Sequence, residues 1–231
     1  MTHYVLLWLE APLQSWGVGS KFGRRTTMDF PTRSGVLGLV LSAMGATGEQ
    51  KDFLRDFSRT DGQTVISYVP KDGVQEKLCD YQVIGNGYDE NDPWSKLNIP
   101  VTSKRKSAST KSKLTYRYYL QDAAFAVVMA VPFQHLESVD AALLHPVFDI
   151  FLGRKCCAPT DFVYRGIYTN KEDALDTGAD IARDKGRTER FRVVDGCVEN
   201  ADDTFFLADV PVQFGEDKRY MDRQVSLIYA G

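Results

Sequence analysis

Three arginines, Arg24, Arg25 and Arg33, flank a segment that opens Ser34-Gly35-Val36-Leu37-Gly38-Leu39 and reads as the start of a helix. A helix start leaves N–H groups without intrahelical partners and carries the positive end of the dipole, so phosphate is favoured there. Guanidinium groups grip phosphate oxygens bidentately. A second basic run, Lys104, Arg105, Lys106, Lys111 and Lys113, is spaced by Ser and Thr and can follow phosphates without fixed geometry. Ahead of the first run, Gln14 and Ser15 carry groups that hydrogen-bond nucleotide edges or 2′-hydroxyls, and Trp16 offers a ring for base stacking. Along one predicted strand Arg117 and Tyr119 fall on one face and Tyr116 and Tyr118 on the other. Arg154 and Lys155 follow a Leu-Gly turn. All of these types suit RNA. Each also has a structural alternative: surface ion pairs for the arginines, a solvated loop for the lysines, core for Trp16, a protein neighbour for Arg154 and Lys155.

Other chemistries find less support. The four cysteines, Cys79, Cys156, Cys157 and Cys197, contain no C-x-x-C and read as reduced structural thiols. Adjacent Cys156 and Cys157 cannot easily share one tetrahedral ion, so neither a metal nor any other cofactor is expected. His3, His135 and His145 are the only histidines, and none falls within the basic, tyrosine-bearing region 85–121. A lysine and a tyrosine can still move protons without a metal. A metal-independent endoribonuclease is therefore the alternative to a non-catalytic binding protein.

Charge distribution favours a polyanion. The chain has 231 residues and a formal net charge of −3, with 43% hydrophobic and 26% charged residues, which excludes a disordered chain. Residues 11–48 carry +3 and residues 93–121 carry +7 with no acid, leaving −13 for the rest. Two basic islands in an acidic chain suit nucleic acid. No apolar run approaches the ~18 residues of a membrane span, and the N-terminus lacks signal-peptide features, so a cytoplasmic location is expected.

The elements that must position these residues read as strand, helix, helix, strand, strand, protrusion, strand, strand, helix. Tyr4–Leu9 is a buried strand that Ala11-Pro12 should end. A helix from Ser34 carries Gly35, Gly38 and Ser42 as a smooth stripe for close packing, and Lys51–Phe57 continues as a short helix. Gln63–Val69, Leu78–Ile84, Leu114–Leu120 and Ala123–Val131 are strands, and Leu136–Leu144 is a helix. From Gly85 to Lys113 hydrophobic periodicity is lost, and a stretch of that length is usually functional or disordered. Phe191–Val194, Thr204–Ala208 and Gln224–Tyr229 read as strands, with no long helix beyond residue 153. The class is α+β, with a ferredoxin-like (RRM-like) N-terminal domain over 1–148 and a smaller β-rich C-terminal part over 149–231.

Ala11-Pro12-Leu13-Gln14-Ser15-Trp16-Gly17, Arg25-Thr26 and Phe30-Pro31-Thr32-Arg33-Ser34-Gly35-Val36-Leu37-Gly38-Leu39 together form a long N-terminal signature. With Tyr116-Arg117-Tyr118-Tyr119-Leu120-Gln121-Asp122-Ala123-Ala124-Phe125 and Leu152-Gly153-Arg154-Lys155-Cys156-Cys157, it resembles the CasD-type, fifth-family Cas subunits of type I-E CRISPR surveillance complexes (Cascade), within the RAMP superfamily. The resemblance implies an RNA-binding subunit in antiviral defence that grips the 5′ handle of the crRNA and caps the backbone filament. It implies the backbone subunit (CasC) and large subunit (CasA) as partners, target DNA indirectly, and a β-thumb at about 85–113. A related subunit of type I-C systems cleaves precursor RNA with a Tyr, Lys and His grouping; region 85–121 lacks the histidine.

Overall fold

The computed structural model describes residues 2–17, 23–60, 62–71, 73–84, 91, 94 and 113–231. Its centre is β1 (His3–Gln14), whose Val5-Leu6-Leu7-Trp8-Leu9 run is buried on both faces. Such a run can only lie inside a sheet covered on both sides. It pairs antiparallel with β5 (Lys113–Val131), from His3↔Val131 to Gln14↔Leu120.

The remaining strands are β2 (Arg24–Arg25), β3 (Gln63–Pro70), β4 (Lys77–Ile84), β6 (Tyr164–Tyr168), β7 (Arg187–Asp195), β8 (Asp203–Gln213) and β9 (Arg219–Tyr229). The sheet order is β6-β1-β5-β3-β7-β9-β8, with β2 and β4 also paired to β5. Every pairing is antiparallel except β2 with β5. The fold is thus a mixed α/β structure built on one large antiparallel sheet. Strands from residues 149–231 continue the same sheet through the β3–β7 ladder.

Helices α1 (Arg33–Ala43), α2 (Lys51–Ser58) and α3 (Leu136–Leu144) cover the face that carries Val5, Leu7 and Leu9. Helix α4 (Lys171–Asp184) covers the face that carries Leu6 and Trp8. This last helix corrects the expectation of no long helix beyond residue 153. Its buried positions are Ala174, Gly178 and Ala182, at helical spacing but too small to give a strong hydrophobic period. Small residues let it sit close: a Cβ on Gly178 would lie 2.9 Å from Cβ of Ala126. Among the described residues no helix is long and apolar enough to cross a membrane.

Two strand boundaries also differ from expectation. β1 runs through Pro12 instead of stopping near Leu9. The Trp8 N–H donates to Val163 and the Glu10 carbonyl accepts from Thr160, so even-numbered positions face the β6 side. Pro12 shares that phase but lies past the last β6 pair, Leu7↔Tyr164, where its missing N–H costs no ladder bond. The two strands expected over 114–120 and 123–131 are one strand, β5, with Asp122 at φ +46° where they join. Its C-terminal half lies between β1 and β3, and its N-terminal half pairs with β4 and β2.

Candidate nucleic-acid interface

The start of α1 is fixed from both sides. The Thr32 hydroxyl accepts from the Gly35 N–H at 3.2 Å as an N-cap. The carboxylate of Asp209, on β8, accepts the Arg33 backbone N–H at 2.7 Å. Asp209 also holds Arg223 of β9 through Nε at 2.6 Å and Nη2 at 2.9 Å. Asp195 at the end of β7 pairs with both Arg223 and Arg33, the latter at 3.1 Å. Burial would lower the Arg223 pKa, but the hydrogen bonds and charge of Asp209 and Asp195 outweigh it and raise it. Two guanidiniums and two carboxylates thus neutralise one another inside the protein and tie α1 to β7, β8 and β9.

That arrangement corrects the expectation for Arg33. It is buried, with Nη2 donating to the Phe57 carbonyl at 2.6 Å, so its charge serves the interior and not a phosphate. Gln14 is internal too. Its Nε2 donates to the carbonyls of Leu9 at 3.0 Å and Ala123 at 2.7 Å, and its Oε1 accepts from Trp16 Nε1 at 3.1 Å. No donor is left to read a base. Trp16 is 1% exposed and packs its ring against Gly35, where a Cβ would come within 2.7 Å, so it is core and not a stacking surface. Ser15 is buried and donates to the Tyr118 carbonyl at 3.1 Å.

Above these residues lies a groove of about 590 Å³. The α1 side contributes Ser34, Gly35, Gly38 and Ser42, with Phe151, Gly153, Phe214 and Tyr220 opposite. Among the described residues four cations line it, Arg25, Arg154, Lys155 and Lys218, and no Asp or Glu does. It merges through Gly38, Ser42, Phe214 and Lys218 with a second hollow of about 400 Å³ that reaches Phe148. The expected small-residue stripe therefore packs closely only at Gly35. Gly38, where a Cβ would meet nothing within 4 Å, is groove wall.

Arg154 is fixed in place. Its guanidinium lies 4.6 Å from the centre of the Tyr119 ring and donates to the Arg25 carbonyl at 2.9 Å. Burial, and then a hydrogen bond from Cys156, push the Tyr119 hydroxyl pKa up, so it stays neutral beneath the guanidinium. Tyr119 itself is buried, whereas Arg117 on the same face of β5 is partly exposed beside Arg25 in the β2 pairing. Arg24 lies on the other face, with Nη2 3.1 Å from the Tyr118 hydroxyl. Lys155 is exposed. Lys104, Arg105, Lys106 and Lys111 lie outside the described residues, and Lys113 is described only as the first residue of β5.

Sequence reasoning missed Lys218 and Tyr220. Glu216 and Asp217 beside Lys218 cancel its charge locally, and only the return of β9 toward α1 delivers both residues to the groove. No local signal announces that return.

Catalytic and metal groupings are thin among the described residues. No group of His, Cys, Asp and Glu is placed to hold a metal ion. No histidine lines the groove; His135 pairs with Asp56 at 3.0 Å against Phe53 and Phe57. All four cysteines are free thiols, but three of them are exposed, against the expectation of buried ones. Burial and the neighbouring Cys156 push the Cys157 thiol up to about 12, which keeps it protonated and inert.

Comparisons with known proteins agree with one another. A family model described as CRISPR-associated protein (Cas_Cas5) matches residues 4–226. The chain is 26% identical over 173 residues to the CRISPR system Cascade subunit CasD of Escherichia coli (strain K12), covering 72% of this chain and 71% of that one. A solved structure titled CRISPR RNA-guided surveillance complex contains a chain with TM-score 0.68 and 25% identity, covering 98% of this chain and 90% of that one. A second structure, titled as a Cas protein, matches with TM-score 0.61 at 22% identity over 98% of this chain and 94% of that one, a likeness of fold.

Proposed function

The chain belongs to the Cas5 family of CRISPR-associated proteins, and from that premise we propose that it is a non-catalytic, cytoplasmic RNA-binding subunit of a type I-E Cascade complex. In this reading it grips the 5′ handle of the crRNA, caps the filament of the backbone subunit CasC, and helps seat the large subunit CasA. Contact with target DNA is indirect. The observation that carries the reading is the basic groove at the start of α1, where Arg25, Arg154, Lys155 and Lys218 converge. Four convergent cations favour a phosphate chain there.

The topology supports the finer parts of the proposal. With β4 set aside, β1, β3, β5 and β6 and their helices run β-α-β-β-α-β and lie in the order β6-β1-β5-β3, as in a ferredoxin-like (RRM-like) unit. Its fourth strand comes from beyond residue 148, so the 1–148 and 149–231 parts act as two halves around one sheet. The β4–β5 ribbon ends at Ile84 and Lys113, the flanks of the proposed thumb. In this reading Lys104, Arg105, Lys106, Lys111 and Lys113 add phosphate contacts from the thumb, and Arg24 and Arg117 do so from its base.

Replacing Arg25, Arg154 and Lys155 together with alanine tests the proposal. For single strands the logarithmic salt slope changes by about −0.7 per phosphate contact, so three lost contacts should flatten it by about 2. Affinity should fall alike for every RNA sequence. An unchanged slope would remove the groove from RNA binding. Repeat RNA incubated with the protein in EDTA should stay intact; specific cleavage lost on substitution of Lys111 or Tyr116 would establish the endoribonuclease instead.

A further inference from the structure

Among the described residues the groove takes none from the β4–β5 ribbon, whose two faces differ in character. Alternation along the paired strands puts Cys79, Tyr81 and Val83 of β4 beside Tyr118, Tyr116 and Leu114 of β5 on one face. Arg24, paired with Tyr116 from the far side, joins them. No acidic residue falls in this set; Asp80 faces the other way.

Two of the three tyrosine rings on this face are open to solvent, and Tyr118 is half-buried beside them. Tyr81 is 52% and Tyr116 44% exposed, with ring centres 5.2 Å apart and planes tilted by 53°. Arg24 sits at the margin, with its guanidinium carbon 5.7 Å from the centre of the Tyr118 ring. That contact, led by the Tyr118 hydrogen bond, raises the Arg24 pKa. Gly23, Arg24, Leu114, Tyr116 and Tyr118 line an open-sided hollow of about 380 Å³. A Cβ on Gly23 would lie 2.7 Å from the Leu114 carbonyl oxygen, so glycine lets β2 approach β5 and border the hollow.

Exposed tyrosines in a folded sheet serve a surface that meets flat, partly apolar groups. A purely apolar protein partner would leave Arg24 without a counter-charge, and an acidic one would not need three rings. Single-stranded RNA satisfies both features, because each nucleotide brings a base that stacks and a phosphate that pairs with a cation. Same-face residues on a strand recur about every 6.8 Å, roughly twice the ~3.4 Å rise of bases along one nucleic-acid strand. The spacing suits bases that are splayed apart and stacked singly, as other RNA-binding sheets receive them.

We propose that Tyr81, Tyr116 and Tyr118, with Arg24 at their margin, form a stacking platform for unpaired RNA bases, separate from the phosphate-gripping groove. The proposal rests on the RNA-binding reading and adds where the bases go. The platform supplies affinity that depends on bases, and the groove supplies affinity that depends on phosphates.

The test uses the full chain, labelled oligoadenosine of about 12 nucleotides, and the same ribose-phosphate backbone without bases. The wild-type protein should bind oligoadenosine about fivefold to a hundredfold more tightly than the abasic strand. Replacing Tyr81 and Tyr116 with leucine should erase that difference while leaving abasic binding unchanged. Tyr116→Phe should retain it, because stacking needs the ring and not the hydroxyl. Arg154→Ala should weaken both strands by the same factor. If the double leucine variant keeps the wild-type preference while Arg154→Ala still weakens both strands, the platform is wrong and the groove reading stands. If the tyrosine variants bind RNA normally but fail to join the other subunits, the face is a protein contact and the proposal is overturned. If wild-type protein binds neither strand, the RNA reading falls and the platform with it.

Discussion

Asp209→Ala is expected to destabilise the folded protein by about 3–5 kcal/mol, the range for breaking one side of a buried ion pair. Asp209 is fully buried and accepts three hydrogen bonds, two from Arg223 and one from the Arg33 backbone N–H. Without it, two guanidiniums share the single carboxylate of Asp195, and the first N–H of α1 loses its partner. The uncompensated charge matters more than the lost bonds, since most of this penalty is the cost of a buried cation without a counter-ion. Urea denaturation checks it, because urea leaves ionic strength unchanged. A loss below about 1 kcal/mol would mean that water replaces the carboxylate at no cost, and that the four charges do not hold α1 in place.

Gly153→Ala should cost about 3 kcal/mol or more and should weaken RNA binding as well. Gly153 has φ +97°, a region that a side chain strains, and an added Cβ would lie 1.8 Å from the Ser15 carbonyl oxygen. Backbone cannot swing aside as a side chain can. Ser15 is pinned because its N–H donates to Leu152 at 3.1 Å and its hydroxyl to Tyr118. Relief must come from moving the 151–155 turn, which carries Arg154 and Lys155 into the groove. Strain and overpacking together support the figure. Gly38→Ala is the contrast: it meets nothing within 4 Å and should stabilise the helix by up to about 1 kcal/mol. Equal thermal midpoints for Gly153→Ala and the parent would contradict the account of the turn.

How much of this was legible in the sequence depended on whether the signal was local. The apolar run of β1, the period of α2 and the helix Leu136–Leu144 are written in neighbouring residues, and the structure places them there. Helix α4 was not legible because its buried stripe consists of Ala and Gly. The basic islands pointed to a polyanion, but charge does not say which arginine faces outward. Arg24, Arg25 and Arg33 look alike in sequence; only the pairing of Arg33 with Asp195, 162 residues away, takes it out of contention. Gln14 and Trp16 misled for a related reason. Their polar atoms satisfy one another and the backbone inside the protein, a closed set that depends on Ala123 being brought alongside by the β1–β5 register. Lys218 and Tyr220 were hidden because the hairpin that delivers them closes over α1 from the far end of the chain.

The most direct test of the central claim is crosslinking of the chain to crRNA in an assembled complex, read out by the peptides that carry nucleotide adducts. The account predicts adducts on the peptides that contain Arg24 and Arg25, Arg154 and Lys155, and Lys218 to Tyr220. It predicts none on Lys171–Asp184, the helix that covers the opposite face of the sheet. Adducts confined to that helix, or no adducts from a complex that holds its RNA, would contradict it.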